Sequence, residues 1–95
     1  MILSVLSALA EPTRLAAIRL LHDGSELCVC DLMRRLDITQ SRMSRHMQIL
    51  KRAGLVVDRR DAQWVRYRLD PDLAGNIRKL IDAALSEDLA EKSGA

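Results

Sequence analysis

Apolar residues recur with a helical period up to about residue 54, alternate over the next fifteen or so, and then turn helical again. Ile2, Leu3, Val5, Leu6 and Leu9 make residues 2–10 apolar over most of a helix circumference. Pro12 suits the first turn of a second helix, where its missing N–H is not needed, and Gly24 stops that helix. Leu15, Ile18 and either Leu20 or Leu21 form its inward face. A third helix is predicted to start between Ser25 and Val29 and to end near Leu36, with Leu32 and Leu36 one turn apart. Beyond the short turn Leu36-Asp37-Ile38-Thr39, Thr39 is the expected N-cap of a fourth helix. Its Met43, Met47 and Leu50 share one stripe up to Gly54. Residues 55–60 and 64–69 read as two strands around a turn at Asp61-Ala62-Gln63. In the second, Trp64, Arg66 and Arg68 lie on one face and Val65, Tyr67 and Leu69 on the other. Pro71 is expected to open a last helix carrying Leu73, Ile77, Leu80, Ile81, Ala84 and Leu85, with a tail that frays after about Asp88.

The order α-α-α-α-β-β-α, mainly α with a β-hairpin wing, is that of a winged helix-turn-helix, expected as one domain over residues 1–95. Two apolar helices at opposite ends of so short a chain cannot both be buried all round within it. Residues 2–10 and 71–88 are therefore expected to meet a second copy, and a two-fold homodimer suits a reader of palindromic DNA.

Composition narrows the class. The 95 residues are 48% apolar, yet Trp64 and Tyr67 are the only aromatics, and sixteen leucines favour a helical core. With 29% charged residues beside that apolar content, a disordered chain is excluded. No apolar run approaches the ~18 residues of a membrane span, so no membrane role is expected. Residues 1–10 lack a basic lead-in and are broken by Ser4 and Ser7, unlike a signal peptide. Two cysteines spaced Cys-x-Cys are too few and too close for a disulfide framework, which points to a reduced, cytoplasmic protein.

The net charge of +2 hides an uneven distribution. Residues 1–33 carry −2, residues 34–68 carry +7 from ten basic groups against three acidic ones, and residues 69–95 carry −3. A basic middle between acidic ends is the footprint of a nucleic-acid surface. On the fourth helix, Gln40, Ser41, Arg42, Ser44, Arg45, Gln48 and Lys51 form the exposed face, with His46 at its border. Short hydroxyls and amides there can reach base edges, while Arg and Lys anchor phosphates. The hairpin adds Arg59, Arg60, Arg66 and Arg68, with Gln63 at its tip. Double-stranded operator DNA is the expected partner.

Cys28-Val29-Cys30 is the other unusual feature. On an intact helix, residues i and i+2 point about 200° apart, so one ion held by both thiolates requires a backbone that is non-helical or becomes so. A helix N-terminus lowers a thiol's pKa, supplying the thiolate that soft metals and metalloids need. The alternative is two small buried hydrophobes. His22, at the end of the second helix, is placed to favour the helix dipole when protonated.

Three motifs now agree in order and spacing: Glu26-Leu27-Cys28-Val29-Cys30-Asp31-Leu32, Thr39-Gln40-Ser41-Arg42-Met43-Ser44-Arg45-His46-Met47, and Ala53-Gly54-Leu55-Val56-Val57-Asp58-Arg59-Arg60 followed by Trp64-Val65-Arg66-Tyr67-Arg68-Leu69. Together, over Leu6 to about Leu80, they resemble the ArsR/SmtB family of metal-sensing repressors, and most of all its arsenic-responsive branch. The resemblance implies that trivalent arsenic or antimony, As(III) or Sb(III), binds Cys28 and Cys30 and releases the operator, with no cofactor required. That branch often has a third cysteine three residues after the second, where this chain has Met33, read here as core. Zinc and cobalt sensors of the family use carboxylate and His ligands on the last helix, which here has Asp72, Asp82, Glu87 and Asp88 but no His. Cadmium and lead sensors add N-terminal cysteines, and residues 1–27 contain none. The alternative within this class is a repressor that answers thiol oxidation or another thiophilic ion, although a Cys28–Cys30 disulfide would close a strained, very short loop. No Ser/His/Asp set, paired-carboxylate motif or Gly-rich phosphate loop is present, so no enzymatic activity is expected.

Overall fold

The computed structural model describes residues 2–94, with side chains through residue 86. In chain order its elements are α1 (Ile2–Leu9), α2 (Pro12–Leu21), β1 (Leu27–Cys28), α3 (Val29–Leu36), α4 (Gln40–Arg52), β2 (Val56–Asp61), β3 (Trp64–Leu69) and α5 (Gly75–Gly94). The apolar stripes meet where the periodicity placed them: Ile18, Leu21, Leu32, Met43, Met47, Leu50 and Leu55 are fully buried together. From β3, Tyr67 and Leu69 join this core, while Trp64 and Arg68 face outward. Left-handed Gly54 turns the chain from α4 into β2, a conformation that residues with a Cβ avoid.

Two elements differ from the expected order. Leu27 and Cys28 form a two-residue strand on the far side of β3, pairing Leu27 with Tyr67 and Cys28 with Arg66, so the wing is a three-stranded antiparallel sheet ordered β1-β3-β2. A segment so short has no readable period; pairing to β3 alone makes it a strand. The last helix starts at Gly75 rather than Pro71, because Asp70 turns the chain first by accepting the Asp72 N–H at 2.8 Å. Asp72 therefore lies outside α5. The fraying expected after Asp88 lies beyond the described side chains.

Arg14 ties three helices together. Its Nε donates to the Ala8 carbonyl at 2.7 Å, placing a cation at the C-terminus of α1, and its Nη1 donates to His46 Nδ1 of α4 at 3.1 Å. Glu11 caps α2 through the Arg14 N–H at 2.8 Å. His22 does not end α2 as a bare dipole partner; its Nε2 lies 2.6 Å from Asp82 Oδ1, docking α2 on α5. On α1, by contrast, Leu3 (78% exposed) and Leu6 (43%) remain in solvent.

Candidate functional site

Helix α3, a three-residue turn and α4 form a helix-turn-helix. Asp37 makes the turn in the left-handed region (φ 55°, ψ 54°), and both its N–H and that of Ile38 return to the Met33 carbonyl. Thr39 is the N-cap of α4 by backbone geometry, but its side chain makes no capping hydrogen bond. Gln40, Ser41, Arg42 and Arg45 stand exposed on α4, with Ser44 half-buried beside them. Arg42 and Arg45 enter no ion pair among the described residues, which leaves two cations available to phosphates.

Other expected DNA-contact residues are already engaged. Only 14% of the His46 side chain is exposed; it meets Arg14 and Glu11 and lines a groove shared with Arg42 and Arg45. Arginine can only donate, so Nδ1 accepts and the ring proton sits on Nε2. Gln48 donates to the Tyr67 hydroxyl at 3.3 Å, and Lys51 pairs with Asp58 at 3.0 Å, so both brace α4 against the wing. Burial, helped by the Asp58 charge, pushes the Tyr67 phenol above its ordinary pKa. Arg59 and Arg66 face each other across β2 and β3, each neutralised locally: Arg59 by a two-pronged contact to Glu26 at 2.8 and 2.7 Å, Arg66 by Asp61 at 3.0 Å. The Arg59 hydrogen bonds hold the Glu26 carboxyl below the usual carboxylate range. Arg60, Gln63 and Arg68 stay exposed without an ion pair among the described residues. Ala62, at the hairpin tip, sits at φ 58°, where a Cβ is strained.

Of the two backbone states open to the cysteine pair, the structure takes the non-helical one. The pair, expected to be reduced, is joined as a disulfide, with Cα atoms 5.2 Å apart. Cys28 is not in the helix at all. It is the last residue of β1 and the N-cap of α3, with extended φ −77° and ψ 164°, and only Cys30 belongs to the first helical turn. Extended backbone at the cap swings the first sulfur back over the turn that carries the second, so no unwinding is needed for the two to share a ligand. The Asp31 N–H donates to Cys28 Sγ and the Cys28 N–H to Asp31 Oδ2, each at 3.2 Å, a reciprocal capping box with sulfur in the hydroxyl's place. The Cys28-x-x-Asp31 spacing was its signal in the sequence. Both sulfurs and an Asp31 carboxylate oxygen lie within 4.8 Å of one another, a donor set that fits a thiophilic guest once the pair is reduced. Met33 is only half-buried: it touches the core and also lines two grooves that meet at Cys30.

A helix-turn-helix with an open cationic face, flanked by a basic wing, defines a winged-helix regulator of the DNA-binding class. Residues 11–57 match the model of the family described as "Bacterial regulatory protein, arsR family". The chain is 46% identical over 76 residues to the arsenical resistance operon repressor of Escherichia coli, a match covering 80% of this chain and 65% of that protein. It is 40% identical over 81 residues to the arsenic resistance transcriptional regulator ArsR2 of Pseudomonas putida, covering 85% and 70% respectively. Among solved structures, HlyU from Vibrio cholerae superposes with a TM-score of 0.75 at 35% identity, covering 86% of this chain and 85% of that one. The chain belongs to the arsR family of bacterial regulatory proteins. It spans just under two thirds of the Escherichia coli relative's length.

Proposed function

We propose that this chain is a non-enzymatic transcriptional repressor of the cytoplasm that binds a palindromic operator as a homodimer and releases it when trivalent arsenic or antimony binds Cys28 and Cys30. One observation carries the reading: two sulfurs and a carboxylate converge at the cap of the helix that feeds the recognition helix. Exposed Ile2, Leu3 and Leu6 of α1 supply the apolar face for the second copy. Two α4 helices about one DNA turn apart (roughly 34 Å) then enter successive major grooves. Gln40, Ser41 and Ser44 are assigned to base edges, and Arg42, Arg45, Arg60 and Arg68 to phosphates.

The cysteine site is coupled to both DNA-contacting elements. Cys28 pairs with Arg66 of the wing and caps α3, which packs on α4. When the reduced thiols displace two hydroxyls of the metalloid, two As–S or Sb–S bonds replacing two bonds to oxygen and the thiol protons leaving in two waters, Sγ of Cys28 commits a lone pair that the Asp31 N–H uses, and the cap, the β1–β3 pairing and the angle of α3 shift together. A hundredfold loss of operator affinity corresponds to a coupling of only about 2.7 kcal/mol. The test is an arsenite titration of the reduced protein on operator DNA, followed by fluorescence anisotropy. Replacing Cys28 and Cys30 together by Ser is expected to preserve binding and abolish release; a double variant still released by arsenite would sink the assignment.

The joined sulfurs favour a second reading, release by thiol oxidation. It requires peroxide to dissociate the operator without arsenic and a dithiol reductant to restore binding.

A further inference from the structure

Between the start of α4 and the wing runs a groove of about 270 Å³. Gln40 and Ser44 stand on its α4 bank, Gln63 and Trp64 on its wing bank, and Met33 and Val65 belong to its apolar wall. No charged side chain lines it among the described residues, although α4 carries exposed Arg42 and Arg45 and the wing exposed Arg60. Trp64 is 44% exposed, and its indole N–H has no acceptor among the described residues. Uncharged donors beside an aromatic face suit a ligand in which apolar and hydrogen-bond-accepting units alternate. A purely apolar guest would strand the amides and the hydroxyl, and a small free anion would meet no cation inside the groove.

A DNA duplex supplies such a ligand at this place. One sugar–phosphate strand separates a major groove from the neighbouring minor groove, so a protein with α4 in the first and its wing at the second faces that strand with whatever lies between them. Deoxyribose presents C–H groups, and each phosphate presents oxygens that accept from amides, hydroxyls and an indole N–H. We infer that Trp64 is a DNA-contacting residue, packed against a deoxyribose of the strand that crosses this groove. Its N–H and the Gln63 amide donate to the adjacent phosphate. The inference rests on the operator reading above and assigns the seat of the strand, not the bases that are read. There is room for one sugar ring, since a cavity of about 150 Å³ already holds benzene. A contact to sugar carries no sequence information; it fixes the register at which α4 enters the major groove. It also pairs no charge with phosphate, so its contribution is insensitive to salt, unlike those of Arg42 and Arg45.

Trp64 is the chain's only tryptophan, so its emission reports on this groove alone. The probe is a duplex that the reduced parent protein selects from a randomised pool. At saturation it is expected to shield Trp64 from acrylamide, a neutral quencher, lowering the quenching constant at least about twofold. Trp64→Ala is expected to weaken binding of the same duplex by about tenfold or more while the slope of affinity against salt stays that of the parent. Trp64→Phe, which keeps an aromatic face, is expected to remain within about threefold of the parent. Undiminished quenching on the bound duplex, or an alanine variant within about twofold of the parent, overturns the inference. So does an alanine variant whose salt slope falls by about one or more, because the loss then lies in charged contacts of a rearranged wing. If the parent enriches no sequence from the pool, the operator reading fails and this inference falls with it; if it enriches one and Trp64 is indifferent to it, this inference alone fails.

Discussion

Replacing Cys28 separates its structural duty from its chemical one. Its sulfur accepts the Asp31 N–H and its own N–H is accepted by Asp31, so the residue is the N-cap of α3 while being only 5% exposed. Serine retains the side-chain half of the box, because its hydroxyl can accept the same N–H, and it can also donate to Asp31 Oδ2, which lies 3.3 Å from the sulfur position. Alanine keeps only the backbone N–H to Asp31 and leaves the Asp31 N–H without its acceptor, and loss of an N-cap typically costs about 1 kcal/mol. Under reducing conditions Cys28→Ser should therefore stay within about 0.5 kcal/mol of the parent, and Cys28→Ala should fall about 1 kcal/mol below it. With an m-value of about 1–1.5 kcal/mol/M in urea, the two variants should differ by about 0.7–1 M in midpoint, measured at one fixed protein concentration. Asp31→Ala removes the other half of the box, the acceptor of the Cys28 N–H, together with the Arg34 contact at 2.7 Å, and should also lower the midpoint. Equal midpoints for the serine and alanine variants at position 28 would refute the capping role.

Other outcomes follow from the same geometry. Glu26→Gln removes the carboxylate that occupies Arg59, so the salt slope of operator binding between 50 and 200 mM should steepen by about 0.9 per protomer; an unchanged slope means Arg59 never reaches phosphate. Because Arg59 lowers the Glu26 pKa, this pair stabilises the fold above the ordinary carboxylate range and ceases to as pH falls through the lowered value. Parent and Glu26→Gln urea midpoints should accordingly differ at pH 7 and converge on acidification. Ala62→Gly relieves a left-handed Cβ at the hairpin tip and should raise stability by up to about 1 kcal/mol, seen as a higher melting temperature. Leu3→Lys combined with Leu6→Lys should yield a monomer in sedimentation analysis and lose tight operator binding; a persistent dimer would move the interface elsewhere.

What could be read from the chain was what repeats along it. Met43, Met47 and Leu50 mark one side of α4 by spacing alone, and all three are fully buried. The alternation of Val65, Tyr67 and Leu69 against Trp64, Arg66 and Arg68 gave the wing its two faces in the same way. Contacts between residues distant in sequence leave no such trace. Nothing near Arg59 announces Glu26, 33 positions earlier, and nothing near His46 announces Arg14. The cysteine site was only half legible for a related reason: its geometry depends on Cys28 being held in a strand by β3, which no local pattern shows. The basic middle of the chain was visible as a sum, but its division into braced cations (Lys51, Arg59, Arg66) and available ones (Arg42, Arg45, Arg60, Arg68) is a matter of tertiary pairing.

Leu27 and Cys28 have a consequence for anyone transplanting the proposed sensor site. The portable unit is not the cysteine motif; it is the motif plus the strand against which it is laid. In a recipient scaffold with no neighbouring strand to hold residue 27, the graft is free to coil through the first cysteine, and its sulfurs part company. Such a chimaera would keep every ligand atom and lose the bite.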